Sequence, residues 1–484
     1  MRIFFLIPVL VAGVMAGCSP VGPDYKRVDP PVPAKFGSLE KGISTTESIQ
    51  TESLASWWKI FNDSILDSLM KRAEEGSLDL RIAEARVRQA RALSLGSESQ
   101  QYPEGGLNAA YQRSRRPESG LAGLGTSGTG SLPSTFNPTN RETDLYLVGF
   151  DASWEIDIFG GIRREIEAAH ADLAGSEEAR RDTLVTLQGE VARNYLQIRG
   201  QQLRLKISQD EVQTRKQNVE LVQARFQAGL VNELDLARAK GALAAAKSII
   251  PLIENNLREI LHRLAVLLGQ EPMSLVGELE EIKKLPEVPE NLPAGLPSDL
   301  LRRRPDIRRT ERELAAATAR IGVSTAELFP KFSLTGSFGY QGNQVGSPPR
   351  ESSNFWRIAP TFRWSILNFK RITAGIEVNK AVREESLARF EKSVLVSLEE
   401  VENALVSLSR EKRRAEALEE AVQANDLAFG LAMERYRAGI QSYLEVLDAE
   451  TALYLAQDQL AQSRQNRAVA LVSLYKALGG GWME

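Results

Sequence analysis

The chain has 484 residues with 60 basic and 63 acidic side chains, a net charge of −3. That balance leaves no basic footprint for nucleic acid. It holds two histidines, His170 and His262, and one cysteine. Neither histidine has a Cys or His at ligand spacing, so the sequence carries no metal-site motif.

Arg2 opens an apolar run, Ile3 to Val14, which is too short to span a bilayer and has the form of a secretion signal over residues 1–17. The run closes on Met15-Ala16-Gly17-Cys18. This resembles a bacterial lipobox, in which the cysteine becomes the lipidated N-terminus. Ser19 in place of aspartate is similar to lipoproteins sorted to the outer membrane. With no second cysteine an exported chain forms no internal disulfide, so helix packing must stabilise it. Residues 18–63 then read as a proline-rich tether followed by ordered structure from Ser56-Trp57-Trp58 onward.

A helix is expected over 64–102, stopping before Tyr102-Pro103 because a residue preceding proline avoids helical angles. Over 103–154 the period falls from 3.6 to 2. Leu107, Ala109 and Tyr111, then Tyr146, Val148, Phe150, Ala152 and Trp154, alternate with other residues as a strand pair. The loop between them, Ser114 to Asn140, is rich in Gly, Ser, Thr and Pro. It contains Gly123-x-Gly125-x-x-Gly128 without the strand–turn–helix context of a dinucleotide site, and reads as a solvated extracellular loop.

Residues 155–269 form the first copy of an internal repeat. Shifted by 210 positions, Trp154, Phe159, Glu190, Arg225, Gly229, Leu234 and Gly269 fall on Trp364, Phe369, Glu400, Arg435, Gly439, Leu444 and Gly479. So many coincidences at one offset mark a structural duplication. Within the repeat, Leu184, Leu187, Val191, Tyr195 and Ile198 set a coiled-coil seam. A long helix ends at Gly229 or Gly439, residues suited to a left-handed cap. A shorter helix returns over 232–268 or 442–478. At 1.5 Å per residue the outward helix is about 100 Å long and the return about 55 Å. Two half-length helices, 64–102 and 298–329, are expected to supply the missing length.

A proline-rich linker covers 270–297 and joins the helical body midway; with residues 19–63 and the 480–484 tail it is expected to form a belt. The second strand pair lies in 330–366: Phe332, Leu334, Phe338 and Tyr340, then Trp356, Ile358, Phe362, Trp364 and Ile366. Residues 367–479 complete the second repeat. Strands of about ten residues with one apolar face match transmembrane β-barrel segments. Four strands cannot close, and an open edge is not viable in lipid, so they must be pooled between subunits, most simply as three chains giving twelve.

The whole mature chain is similar to the TolC family of outer-membrane factors, in particular its OprM/NodT-type lipoproteins. Four passages carry the likeness: Cys18-x-x-x-Gly22-Pro23-Asp24-Tyr25; Trp57-Trp58-x-x-Phe61-x-Asp63; Trp154-x-x-Asp157-x-Phe159-Gly160; and Leu296-Pro297-Ser298-Asp299-Leu300-Leu301-Arg302-Arg303-Arg304-Pro305-Asp306-Ile307. The last is the most specific. The resemblance implies a mainly α protein with a membrane β-barrel: a trimeric twelve-helix periplasmic α-barrel joined to a twelve-stranded outer-membrane barrel, four strands per chain. It implies lipidation of Cys18, a periplasmic adaptor, an inner-membrane pump of the resistance-nodulation-division type, and passive export of what the pump selects. It places the periplasmic gate at Leu444, Glu445, Asp448 and Tyr436, and adaptor docking at Arg225, Gly229, Leu230, Arg435, Gly439 and Ile440. Asp448 has Arg238 at its place in the first copy, and so does not repeat. Ser442-x-x-Glu445 reads as a capping box, matched by Asn232-x-x-Asp235.

No catalytic constellation is present, neither G-x-S-x-G nor H-E-x-x-H, and no cofactor is expected. The competing readings are a type I secretion duct, a periplasmic adaptor, and a coiled-coil envelope protein without a pore.

Overall fold

The computed structural model describes residues 19–37, 43–44, 54–115, 142–289, 292–293, 297–342 and 353–482. The signal segment, Cys18 and most of the first inter-strand loop, with its Gly123-x-Gly125-x-x-Gly128, lie outside them. Asp63 caps helix α1 (Ser64–Gly76), accepting from the amides of Ile65 at 2.9 Å and Leu66 at 3.3 Å. Leu66, Leu69, Met70 and Ala73 are buried along one side of it. Helix α2 (Leu78–Ser99) follows, and strands β1 (Glu104–Arg115) and β2 (Glu142–Ile156) come next. Helix α3 (Gly161–Gln227) returns as α4 (Glu233–Leu267). The second half repeats the order: α5 (Pro297–Arg303), α6 (Pro305–Ala326), β3 (Lys331–Gly342), β4 (Asn354–Arg363), α7 (Phe369–Arg437) and α8 (Tyr443–Ala477).

Three sequence expectations need correction. The helix expected over 64–102 is two helices, broken at Ser77, whose ψ of 126° is not helical. The break brings Gly76 against the end of α4, where an added Cβ would lie 2.4 Å from the Leu268 carbonyl oxygen. The helix expected over 298–329 likewise breaks at Arg304, where Pro305 has no amide hydrogen and pushes its predecessor out of the helix. The two breaks are 227 residues apart, the same offset that aligns Pro103 with Pro330, so they are one feature of the duplication. Finally, the last strand stops at Arg363, and Ile366–Asn368 form a 3-10 turn rather than strand.

The described residues divide into two compact units. The first takes those up to Lys26, Ala90–Leu173 and Leu314–Ser386. Its sheet is antiparallel in the order β1-β2-β3-β4. Residues directly opposite in an antiparallel pair share a face. The register sets Leu107 opposite Phe150, Phe150 opposite Phe338, and Phe338 opposite Trp356. All four are exposed. One continuous apolar face therefore crosses all four strands, continued by Val148, Tyr340, Ile358 and Phe362. The outer edges of β1 and β4 have no strand partner among the described residues. Trp154 donates its indole N–H to the Gln101 carbonyl at 2.9 Å, and Trp364 donates to Leu328 at 3.0 Å. The repeat thus reuses one tryptophan per strand pair to tie the strand base to the end of the preceding helix. No helix of the described residues is long and apolar enough to cross a membrane.

The second unit, Arg27–Gln89, Ala174–Glu313 and Leu387–Glu484, holds the main apolar core, in which Leu66, Leu69, Val191, Leu264, Leu405 and Leu474 are buried together. The tail enters it: Gly481 donates to the Leu54 carbonyl at 2.9 Å, and Trp57 stacks on Tyr475 with centroids 5.5 Å apart. The linker enters it too. Arg199, fully buried, donates to the Tyr195 hydroxyl at 3.1 Å and to the Glu281 carbonyl at 3.0 Å. Of the segments expected to form the belt, the described residues from Arg27 onward belong to this unit, while residues 19–26 belong to the other.

Candidate gate and anchor sites

Each long helix ends in the same turn. Gly229 and Gly439 both have φ near +76°, a region that costs an L-residue about 1–2 kcal/mol. Leu230 donates to the Arg225 carbonyl at 2.9 Å and Ile440 to the Arg435 carbonyl at 3.0 Å, the six-to-one bond of a Schellman cap. The returning helices start differently. Asn232 accepts from the Asp235 amide at 3.0 Å and caps α4, whereas Ser442 makes no side-chain cap to α8. The expected capping box at Ser442 and Glu445 does not form.

At its start α8 has two sides. Tyr443, Val446, Glu450 and Leu453 are buried. Leu444, Glu445 and Asp448 are exposed. The buried side joins a compact cluster with Val222, Leu236, Ala239, Ala432, Met433 and Tyr436. Tyr436 meets Tyr443 edge to face, with centroids 5.6 Å apart. Burial raises the pKa of both phenols, Tyr443 to about 12. Of the expected gate residues, Tyr436 therefore lies behind the exposed stripe rather than on it.

The two arginines expected at the docking tips also differ. Arg225 donates to the Tyr436 and Arg437 carbonyls, the latter at 3.3 Å, and its guanidinium lies 4.7 Å over the Tyr436 ring. It fastens one hairpin tip to the other. Arg435, its counterpart in the second copy, is exposed, as are Gly229, Leu230, Gly439 and Ile440.

Sequence reading missed the polar layer beside this cluster. Glu450 is fully buried on α8 and accepts from the Asn218 side chain of α3 at 3.0 Å. Arg215, also on α3, donates to Glu211 at 2.8 Å and to the Thr451 hydroxyl at 3.3 Å. The signal was available: Glu450 stands seven residues after Tyr443, on the same seam, where an acid is out of place.

The family-like motifs converge at two places. In the first unit, Arg164 donates to the carbonyls of Val21 at 3.1 Å and Gly22 at 3.3 Å, and to Asp24 at 2.6 Å. Val21 donates to the Phe159 carbonyl at 3.0 Å. Gly22 and Gly160 have φ of 92° and 80°, and a Cβ at either would lie 2.5 Å or less from a backbone atom. The tether is therefore seated just after β2 ends, four residues beyond Ile156. In the second unit, Arg304 is buried and forked onto Asp306, with further bonds to Glu400 at 2.6 Å and the Ala477 carbonyl at 3.0 Å. It clasps the α5–α6 break to α7 and to the end of α8. Burial on its own would lower its pKa, but the carboxylates of Asp306 and Glu400 outweigh it and raise the pKa.

The model of the outer membrane efflux protein family matches residues 69–270 and 296–480. The chain belongs to that family. The pyoverdine export outer membrane protein OpmQ of Pseudomonas aeruginosa is 34% identical, over 93% of this chain and 91% of its own length. Nodulation protein T of Rhizobium leguminosarum bv. trifolii is 31% identical, over 97% of this chain and 96% of its own. A solved structure of the outer-membrane channel OprN superposes with a TM-score of 0.86 at 33% identity, covering 96% of this chain and 99% of that one. As an outer membrane efflux protein the chain is mainly helical with a small sheet, and its place is the outer membrane.

Proposed function

We propose that this chain is the exit duct of a tripartite efflux system, conducting passively what an inner-membrane pump and a periplasmic adaptor deliver. The observation that carries the reading is the sheet: four strands of 10 to 15 residues, one exposed apolar face, and an unpaired edge at each side. In lipid such edges must be satisfied. Pairing β4 of one copy with β1 of the next satisfies them, and three copies give twelve strands with every backbone group bonded. The long helices of the three copies then form the periplasmic tube. Seating of residues 20–24 beside the end of β2 favours an acylated Cys18 at the inner surface of the same membrane.

The gate is the exposed stripe of α8. Around a three-fold axis, three Asp448 carboxylates and three Leu444 side chains one turn away form stacked polar and apolar rings, since positions four apart share a helix face. The exposed tips at Leu230, Arg435 and Ile440 face the adaptor. Native mass spectrometry in detergent is expected to give three chains, each starting at an acylated Cys18, and the trimer is expected to form cation-selective pores of low conductance in planar bilayers. A stable inserted monomer would overturn the pooled barrel.

A further inference from the structure

We propose that Glu450 is a protonation-controlled latch that holds the gate-bearing start of α8 against α3. The proposal rests on the gate being the exposed stripe of α8. Glu450 lies two residues from Asp448 on the opposite side of that helix and is sealed from solvent. One carboxyl oxygen accepts from Asn218; the other is buried without a hydrogen-bond partner among the described residues. An ionised carboxylate wants more acceptor bonds than this site supplies, and an unsatisfied buried charge is unfavourable. A protonated carboxyl fits the site with little cost.

The neighbours sharpen the point. From α3, Arg215 attracts the charge and Glu211 opposes it, and Arg215 is already engaged by Glu211 and Thr451. On α8 itself Tyr443 and Tyr454 lie within its field. Asp235, on α4, acts on Tyr443 and Tyr436. Tyr436 supplies the α7 side through its ring on Tyr443. Burial is the largest influence, and it lifts the Glu450 pKa to about 7.

The sign follows from linkage. The packed state holds its proton up to about pH 7, whereas a loosened, hydrated Glu450 releases it near the ordinary carboxyl value of 4.5. Packing of α8 on α3 is therefore strongest below the hydrated pKa and weakens as pH rises through the packed one. At acid pH the latch holds and the gate stays shut; at neutral and mildly basic pH the cost of a buried charge draws the ionised carboxylate toward water, outweighing the Asn218 bond, and the gate loosens. The symmetry-related pair carries no acid: at the 210-residue offset, Glu450 of α8 answers to Lys240 of α4, and Asn218 of α3 answers to Ala428 of α7. The latch therefore belongs to the α3–α8 seam, on the helix that carries the acidic stripe.

Two measurements on the full-length trimer test it. The first is open probability in planar bilayers from pH 5.5 to 8. The wild type is expected to open at least about tenfold more at the upper end, one pH unit of linkage being tenfold, while Glu450→Gln stays at the acid-pH level throughout. The second is hydrogen–deuterium exchange of the amides of Tyr443 to Glu450, corrected for intrinsic pH dependence. Wild-type exchange is expected to accelerate with pH beyond that correction, and Glu450→Gln exchange is not. If wild type and Glu450→Gln exchange alike across the range, the latch is refuted. If exchange behaves as expected but open probability does not change with pH, the latch stands and the gate lies elsewhere than on α8. Asp448→Asn, an exposed neighbour, is expected to leave the exchange profile unchanged; abolition of it there would also refute the assignment.

Discussion

Asp448 and Leu444 gain their meaning from what the same helix does on its other side. Tyr443, Val446 and Glu450 anchor α8 in the tip cluster, so the exposed pair is held on a fixed backbone rather than on a mobile loop. The first repeat presents Leu234 and Arg238 at the same places, and Arg238 is within 3.9 Å of Asp235. A ring of like charges repels itself and draws cations. The double variant Leu444→Ser with Asp448→Ala is therefore expected to raise single-channel conductance and weaken block by divalent cations. Leu234→Ser with Arg238→Ala is expected to do less, since it removes no acid. Equal effects from both pairs would move the gate away from α8.

Among the elements, the helix ends show the clearest division of labour between glycines. Gly229 needs a positive φ, but nothing lies within 4 Å of an added Cβ. Gly269 has a φ of 69° and, in addition, the Gly76 carbonyl oxygen 2.2 Å from an added Cβ. Gly229→Ala is expected to cost about 1–2 kcal/mol, the price of the left-handed conformation alone. Gly269→Ala must also displace α1 from the end of α4, and its loss of stability is expected to be at least twofold larger. Thermal unfolding followed by circular dichroism ranks the two, and the reverse order would mean that the Gly76–Gly269 contact is not tight. The second repeat keeps the arrangement with different residues: Gly479, φ 74°, packs against Arg303.

For the molecule as a whole, the direction of each strand residue decides what a charge there would do. Ile358 stands mid-strand on the exposed apolar face, opposite Gly336. Thr335, opposite Ala359, is on the other face. If the apolar face meets lipid, Ile358→Arg is expected to cost about 2–4 kcal/mol at the bilayer midplane, and Thr335→Arg, directed into the lumen, clearly less. Refolding titrations into lipid vesicles measure both. Equal costs would indicate that the apolar face is not the lipid face.

Much of this was written in local sequence. The duplication, the helix periods, the glycine-capped turns and the alternation of the strands depend on residues within a few turns of each other, so pattern alone reveals them. The family likeness lay in short motifs for the same reason, and both Gly22 and Gly160 prove to be places where backbone meets backbone. Pattern was weaker where one signal had to be weighed against another: Arg304-Pro305 and Gly76-Ser77 were legible breaks inside otherwise helical runs. What only the tertiary structure decided are the contacts between distant segments. Arg225 and Tyr436 are 211 residues apart, and Asn218 and Glu450 are 232 apart. Periodicity assigns a side chain to a face of its own helix but does not say which helix will cover that face. That choice falls to packing, and it makes Arg225 a strut between the two hairpin tips and turns Glu450 from one more acidic residue on a long helix into a sealed carboxyl.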